Sequence, residues 1–112
     1  MNKVILIGRL TRDPELKKLE SGMNVATFSI AINRTSDATD FINIVAFEKV
    51  AENVKKFLNK GSQAAIDGRI QTRTYVDKDG NNHYITEVIA TNVEFLGSKT
   101  KVESDTTSEL PY

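Results

Sequence analysis

Val50-Ala-Glu-Asn-Val-Lys-Lys-Phe-Leu-Asn-Lys-Gly61 is the stretch where the chain changes its period. Val50, Val54, Phe57 and Leu58 recur at i, i+4, i+7 and i+8, and Glu52, Lys55, Lys56 and Lys60 fall elsewhere on the surface. That spacing predicts an amphipathic helix. Lysines gather in its last turn, and Gly61 stands where a C-terminal cap belongs. On either side the apolar residues follow a period of two. Before the helix, Lys3 to Leu10 opens as a nearly continuous apolar run and reads as a buried strand. Asn24 to Asn33 puts Ala26, Phe28, Ile30 and Ile32 on one side, the core side. Phe41 to Phe47 puts Ile42, Ile44 and Ala46 on one face and Phe41, Asn43, Val45 and Phe47 on the other.

Asp13-Pro14 and Ser21-Gly22 mark turns between these strands, and Arg34 to Asp40 reads as a polar loop. After the helix, Ser62 to Ile66 restarts a strand, Asp67-Gly68 marks a bulge or bend, and the strand resumes to Tyr75. Asp77 to Asn81 has the Asp-Gly chemistry of a hairpin tip, and Tyr84 to Leu96 returns as a long strand. Three strands, one helix, then two or three strands give an all-β chain with one helix. This is the order of a five-stranded OB-fold β-barrel, with the helix between strands 3 and 4. The barrel domain is expected over residues 1–97. Residues 98–112, rich in Ser, Thr, Lys and Glu without apolar period, are expected to form a short disordered tail.

Composition narrows the chemistry more than it names it. The chain has 112 residues, 39% hydrophobic and 27% charged, which suits one globular domain. The absence of cysteine rules out disulfides, thiolate metal sites and a thiol nucleophile. One histidine, His83, makes a histidine metal cluster improbable and has no partner carboxylate at a recognisable spacing. The opening apolar run is too short for a secretory signal and no segment spans a membrane, so a cytoplasmic protein is expected. Fifteen basic residues balance fifteen acidic ones, so a nucleic-acid site must be a local stripe and not bulk charge.

That stripe is legible after the helix. Asp67-Gly-Arg-Ile-Gln-Thr-Arg-Thr-Tyr75 places Arg69, Gln71, Arg73 and Tyr75 on one strand face. An exposed face of a soluble strand has the same composition about as often, so this stretch alone is balanced between the two readings. Phe41 and Phe47 share a face with Asn43 on a strand whose core side is already supplied by Ile42 and Ile44. Rings so placed can stack bases of any sequence, because every base has a π-face. Arg9, Arg34, Lys49, Lys60 and Arg73 sit at strand or helix ends, where cations can follow phosphates. Asp77, Asp79 and Asn81 are part of a calcium-loop pattern, but Gly80 comes too early for it. No catalytic residue, metal or cofactor is expected. Near-zero net charge keeps a protein-interaction OB module open as a second reading, and a metal-dependent barrel nuclease stands as a third.

Several segments also resemble the bacterial single-stranded-DNA-binding proteins. They are Asn2 to Glu15 (NKVILIGRLTRDPE), Val25 to Arg34 (VATFSIAINR), Ala51-Glu-Asn-Val54, Phe57 to Ser62 (FLNKGS), Asp67 to Arg73 (DGRIQTR) and Thr86-Glu-Val88. Together they cover nearly all of residues 1–97 in order. The resemblance implies an OB-fold subunit, commonly a homotetramer, that wraps single-stranded DNA exposed in replication, recombination and repair. It places stacking aromatics at Phe41, Phe47 and Tyr75 and basic contacts at Arg9, Lys49, Lys60, Arg73 and Arg34, and leaves Arg69 and Gln71 as edge or interface positions. The family often has Trp where these rings stand, and this chain has none. Thr35 to Asp40 replaces a long DNA-contacting hairpin, with Ser36 near the place of its aromatic. The end, Glu109-Leu-Pro-Tyr112 after Glu103 and Asp105, resembles a shortened form of the acidic tip that recruits replication and repair proteins. A short loop and tail suit a phage, plasmid or accessory member, acting at the nucleoid or in a host cytoplasm.

Overall fold

The computed structural model describes residues 1–96. The expected tail, with Glu109, Leu110, Pro111 and Tyr112, lies outside the described residues. Six strands and one helix follow in the order β1 (Val4–Leu10), β2 (Glu15–Lys18), β3 (Asn24–Thr35), β4 (Ala38–Phe47), α1 (Glu48–Phe57), β5 (Gln63–Val76) and β6 (Asn82–Leu96). The sheet order is β1-β5-β6-β4-β3-β2, and an added β1–β3 pairing closes β1, β5, β6, β4 and β3 into a barrel. All neighbours are antiparallel except β4 and β6, which run parallel over Ile44–Ala46 and Val88–Ala90. The helix falls between the third and fourth long strands, as the OB-fold order requires.

The one element without a sequence signal is β2. Glu15-Leu-Lys-Lys18 is exposed throughout and pairs only by backbone with Asn24–Thr27 of β3. It occupies the same edge of β3 that β1 takes further along, at Ile30 and Ala31. Gly8 makes that closure sterically possible: a Cβ there would lie 2.7 Å from the Ala31 carbonyl oxygen.

The core is the inward face of the alternating strands. Phe28, Ile30, Ile44, Ile66 and Val54 are its largest fully buried side chains, each stabilising the fold by roughly 1.5–3 kcal/mol through removal from water. Ala51 and Val54 of α1, followed by Leu58, seal one end of the barrel.

Four expectations change at this level. The β1 run is not buried on both sides: Ile5 and Ile7 point outward and are exposed, because a barrel strand has one inward face. Phe57 is also exposed, since Leu58, in extended conformation after the helix, takes the place in the core. The C-cap is therefore Leu58, while Gly61 adopts φ +87° in the turn beyond. The polar loop after Arg34 is shorter than predicted, because β3 runs to Thr35 and β4 restarts at Ala38 around a register shift.

β5 and β6 extend beyond the barrel as an arm. At its base the register shifts between Asp67 and Gly68, with Thr91 left unpaired on β6. The Thr91 hydroxyl donates to the Asp67 carbonyl, 2.9 Å, and so satisfies part of the bulge. Beyond the end of β1, the Asn2 amide bonds both the N–H and the C=O of Ile70, extending the pairing by one side chain. At the arm's tip Asp77 Oδ1 accepts from the N–H groups of Asp79 and Asn81, and Gly80 takes φ +84°. Asp77 Oδ2 lies 2.7 Å from His83 Nε2, so His83 does have a carboxylate partner. That bond, with the turn's N–H groups, holds the Asp77 carboxyl below its ordinary 3.8. Both carboxylate oxygens thus serve the turn, which explains the calcium-like spacing.

Candidate nucleic-acid interface

The outer surface of β4, β6 and β5 is one continuous sheet face. Register fixes it: Val45 of β4 pairs with Ile89 of β6, and Ile89 pairs with Arg69 of β5. Alternation then places Phe41, Asn43, Val45 and Phe47 beside His83, Ile85, Glu87 and Ile89, and those beside Arg69, Gln71, Arg73 and Tyr75. Five of the predicted residues therefore share a face: Phe41, Asn43, Phe47, Arg73 and Tyr75.

Their exposure differs. Phe41 is 67% exposed and Tyr75 is 45% exposed, whereas Phe47 is half-buried at the junction with α1. Tyr75 lies against His83 with ring centroids 4.9 Å apart and an interplanar angle of 14°. His83 therefore covers one side of the tyrosine ring and leaves the other for a planar ligand. The face also holds a residue that sequence reasoning missed. Glu87 is buried, and its Oε2 accepts from Arg73 Nε at 3.1 Å and Gln71 Nε2 at 3.2 Å. Arg69 Nη1 in turn donates to Gln71 Oε1 at 3.5 Å. Gln71 is thus a member of the face's hydrogen-bond network. Opposing β5 and β6 in period two would have put Glu87 across from Gln71, but the pairing register was not legible.

Between β4 and β6, below their three paired residues, the strands part into a cleft. Phe41, Ile42 and Asn43 form one wall, Thr86 to Val88 the other, with Val4, Leu6 and Ile70 in the floor. Phe41 stands at its rim, so ring and apolar cleft meet on the same face.

The remaining predicted cations lie apart. Lys49 is exposed in the first turn of α1, two residues past Phe47. Arg34 pairs with Asp40 at 3.2 Å in the β3–β4 hairpin. Arg9 and Lys60 line a second cleft at the end of α1, where Arg9 Nη1 donates to the Gly61 carbonyl at 3.1 Å. The Lys60 backbone N–H is held by Asp13 Oδ1 at 2.8 Å.

A closed barrel of this order, with aromatic rings and guanidiniums across one open face, defines the nucleic-acid-binding class of OB-folds. The model of the single-strand binding protein family matches residues 1–96, and the chain belongs to that family. It is 52% identical over 116 aligned positions to single-stranded DNA-binding protein 1 of Staphylococcus aureus (strain Mu50 / ATCC 700699), covering 98% of this chain and 73% of the relative. Single-stranded DNA-binding protein 2 of the same strain is 51% identical, over 88% of this chain and 74% of its own. Single-stranded DNA-binding protein 2 of Listeria monocytogenes is 51% identical, over 88% and 66%.

Proposed function

We propose that the protein binds single-stranded DNA without sequence preference by stacking bases on Phe41, Phe47 and Tyr75 while its cations neutralise phosphates. Single-stranded DNA binding is the function of its family, which is not enzymatic, so the nuclease reading falls. The observation that carries the mechanism is the exposure of Phe41, Tyr75 and Arg73 on one three-strand face. Arg73, Lys49, Arg34, Arg9 and Lys60 supply the positive charge, and Asn43 offers an amide between the rings. Each phosphate neutralised releases a counterion, which compensates for a folded part with no net excess of charge to speak of. The setting is DNA exposed in replication, recombination and repair, at the nucleoid or in the cytoplasm.

Members of the family typically assemble as oligomers, and a homotetramer is the proposed form here. Exposed Ile5 and Ile7 on the outer side of β1 support a subunit contact there. The tip Glu109 to Tyr112 is proposed to recruit replication and repair proteins.

Titration of the protein with oligo(dT) is expected to quench tyrosine fluorescence, with affinity falling as salt rises. Light scattering with and without the oligonucleotide gives subunit number and stoichiometry. Equal affinity for duplex and single strand would sink the reading.

Glu87 sets a second expectation. Its carboxylate holds Arg73 at 3.1 Å, so a phosphate must compete for that guanidinium. Glu87→Gln keeps the shape and an acceptor oxygen but removes the competing charge. Affinity for oligo(dT) is expected to rise, and the plot of log affinity against log salt to steepen by about 0.7, the value of one extra contact on a single strand. An unchanged slope would mean that Arg73 serves the arm and not the DNA.

A further inference from the structure

The helix end of the barrel carries an aromatic pair that the core does not need. Phe57 is 51% exposed and Phe95 is 44% exposed, with ring centroids 5.2 Å apart and planes tilted by 41°. Lys56 Nζ stands 5.3 Å from the centre of the Phe57 ring. The rings open into the cleft that also holds Arg9, Lys60, Asn59 and Gln63. No acidic side chain lines that cleft among the described residues. Two carboxylates lie beside it without entering its lining: Asp13 is engaged by the Lys60 backbone N–H at 2.8 Å, and Glu94 is on the opposite side of β6 from Phe95, in the row of Ala65 and Ile7.

A pair of half-exposed rings that only sealed the barrel end would have no need of three cations around it. Rings with cations and neutral amides are what a sequence-tolerant site for nucleotides requires. The cleft is also continuous with the main face. Phe41 pairs with Ala31, Ala31 with Arg9, and Arg9 with Gln63, so one cross-strand row runs from the exposed ring on β4 to the cleft. Two strand spacings separate Phe41 from Arg9, about 10 Å, or about three nucleotides at stacked spacing. The small side chain of Ala31 between them leaves the crossing open.

We propose that this cleft is a second single-stranded-DNA subsite, in which Phe57 and Phe95 receive a base and Arg9, Lys56 and Lys60 hold the flanking phosphates. Resting on the DNA-binding reading above, it adds a path: the strand leaves the β4–β6–β5 face at Phe41, crosses Ala31 and enters the cleft past Arg9. The footprint of one subunit is then longer than the main face alone allows, despite the short β3–β4 hairpin.

The test is the length dependence of affinity. The full chain, Phe95→Ala and Phe95→Leu are titrated with oligo(dT) from about 4 to about 16 nucleotides, the range a single OB-fold covers. Phe95→Leu keeps an apolar contact for Phe57 and removes only the ring. The unaltered chain is expected to gain affinity as the oligonucleotide lengthens past the main face. Both variants should match it on the shortest oligonucleotide and fall about tenfold behind on the longer ones. Identical length dependence in all three proteins overturns the subsite. An equal loss at every length also overturns it, since that is damage to the fold. A changed number of subunits in the assembly with unchanged length dependence assigns the cleft to a second copy of the chain and overturns it too. If the unaltered chain binds no oligonucleotide at any length, the DNA-binding reading itself falls, and the subsite with it.

Discussion

Replacing Phe41 and Tyr75 together by alanine is expected to lower affinity for oligo(dT) by about a thousandfold and to leave the fold intact. Each base stacked on a ring contributes roughly 1–3 kcal/mol, so the two rings contribute on the order of 4 kcal/mol. About 1.4 kcal/mol corresponds to a tenfold change. Stability should hold because neither ring belongs to the core: both are exposed, on opposite sides of β6. Phe47 is the wrong choice for this experiment. It is half-buried at the strand–helix junction, where Glu48 already sits at a strained φ of 54°, and its removal would mix binding with stability. Tyr75→Phe is the informative companion, since stacking needs the ring and not the hydroxyl, and it should bind nearly as well as the unaltered chain. Because Tyr75 itself supplies part of the intrinsic signal, the measurement is anisotropy of end-labelled oligo(dT). A loss of less than about threefold in the double variant, with an unchanged circular dichroism spectrum, would move the stacking site off this face.

The parts legible in the sequence are those set by alternation within a single element. Ile42 and Ile44 against Phe41 and Asn43 could be sorted because a strand has two faces and the core claims the more apolar one. The helix was visible because Val50, Val54, Phe57 and Leu58 recur at i, i+4, i+7 and i+8, but the helix ends at Phe57 and Leu58 is extended, so the two do not share a helix face. Which of them turns inward is decided by where the chain goes after Phe57. β1 misled in the same way: Val4 to Ile7 reads as buried on both sides, and only the barrel shows that Ile5 and Ile7 face outward and are exposed. β2 has no side-chain signal at all, being held by backbone bonds to β3. The network of Arg69, Gln71, Glu87 and Arg73 was beyond reach for another reason. It depends on the register between β5 and β6, which pairs Gln71 with Glu87 and is set by how many residues the turn at the arm's tip takes up; a slip of one residue there would turn Glu87 to the other face. Reading the face therefore found its rings and cations but not the carboxylate that holds one of the cations.

That bulge is also where the fold is most exposed to a single substitution. Gly68→Ala is expected to destabilise the protein by at least about 3 kcal/mol, at the top of the usual range for overpacking a core. A Cβ at Gly68 would collide with the carbonyl oxygen of Ile89 and crowd the Ala90 Cα, all of it backbone. A side chain in the way can turn to another rotamer, but a paired strand cannot, so β5 and β6 must separate where the arm leaves the barrel. For a domain of this size the melting temperature should drop by more than about 10 °C. Gly80→Ala is the control. Its Cβ would meet nothing, and only the positive φ of +84° is strained, which costs roughly 1–2 kcal/mol. Chemical denaturation of the two variants side by side separates the causes, and a Gly68→Ala loss no larger than that of Gly80→Ala would show that the arm's base yields easily. The consequence for binding follows from position. Arg73 and Tyr75 lie on the arm beyond Gly68, so whatever fraction of Gly68→Ala remains folded should lose affinity for oligo(dT) as well, whereas Gly80→Ala, at the tip past both residues, should keep most of it.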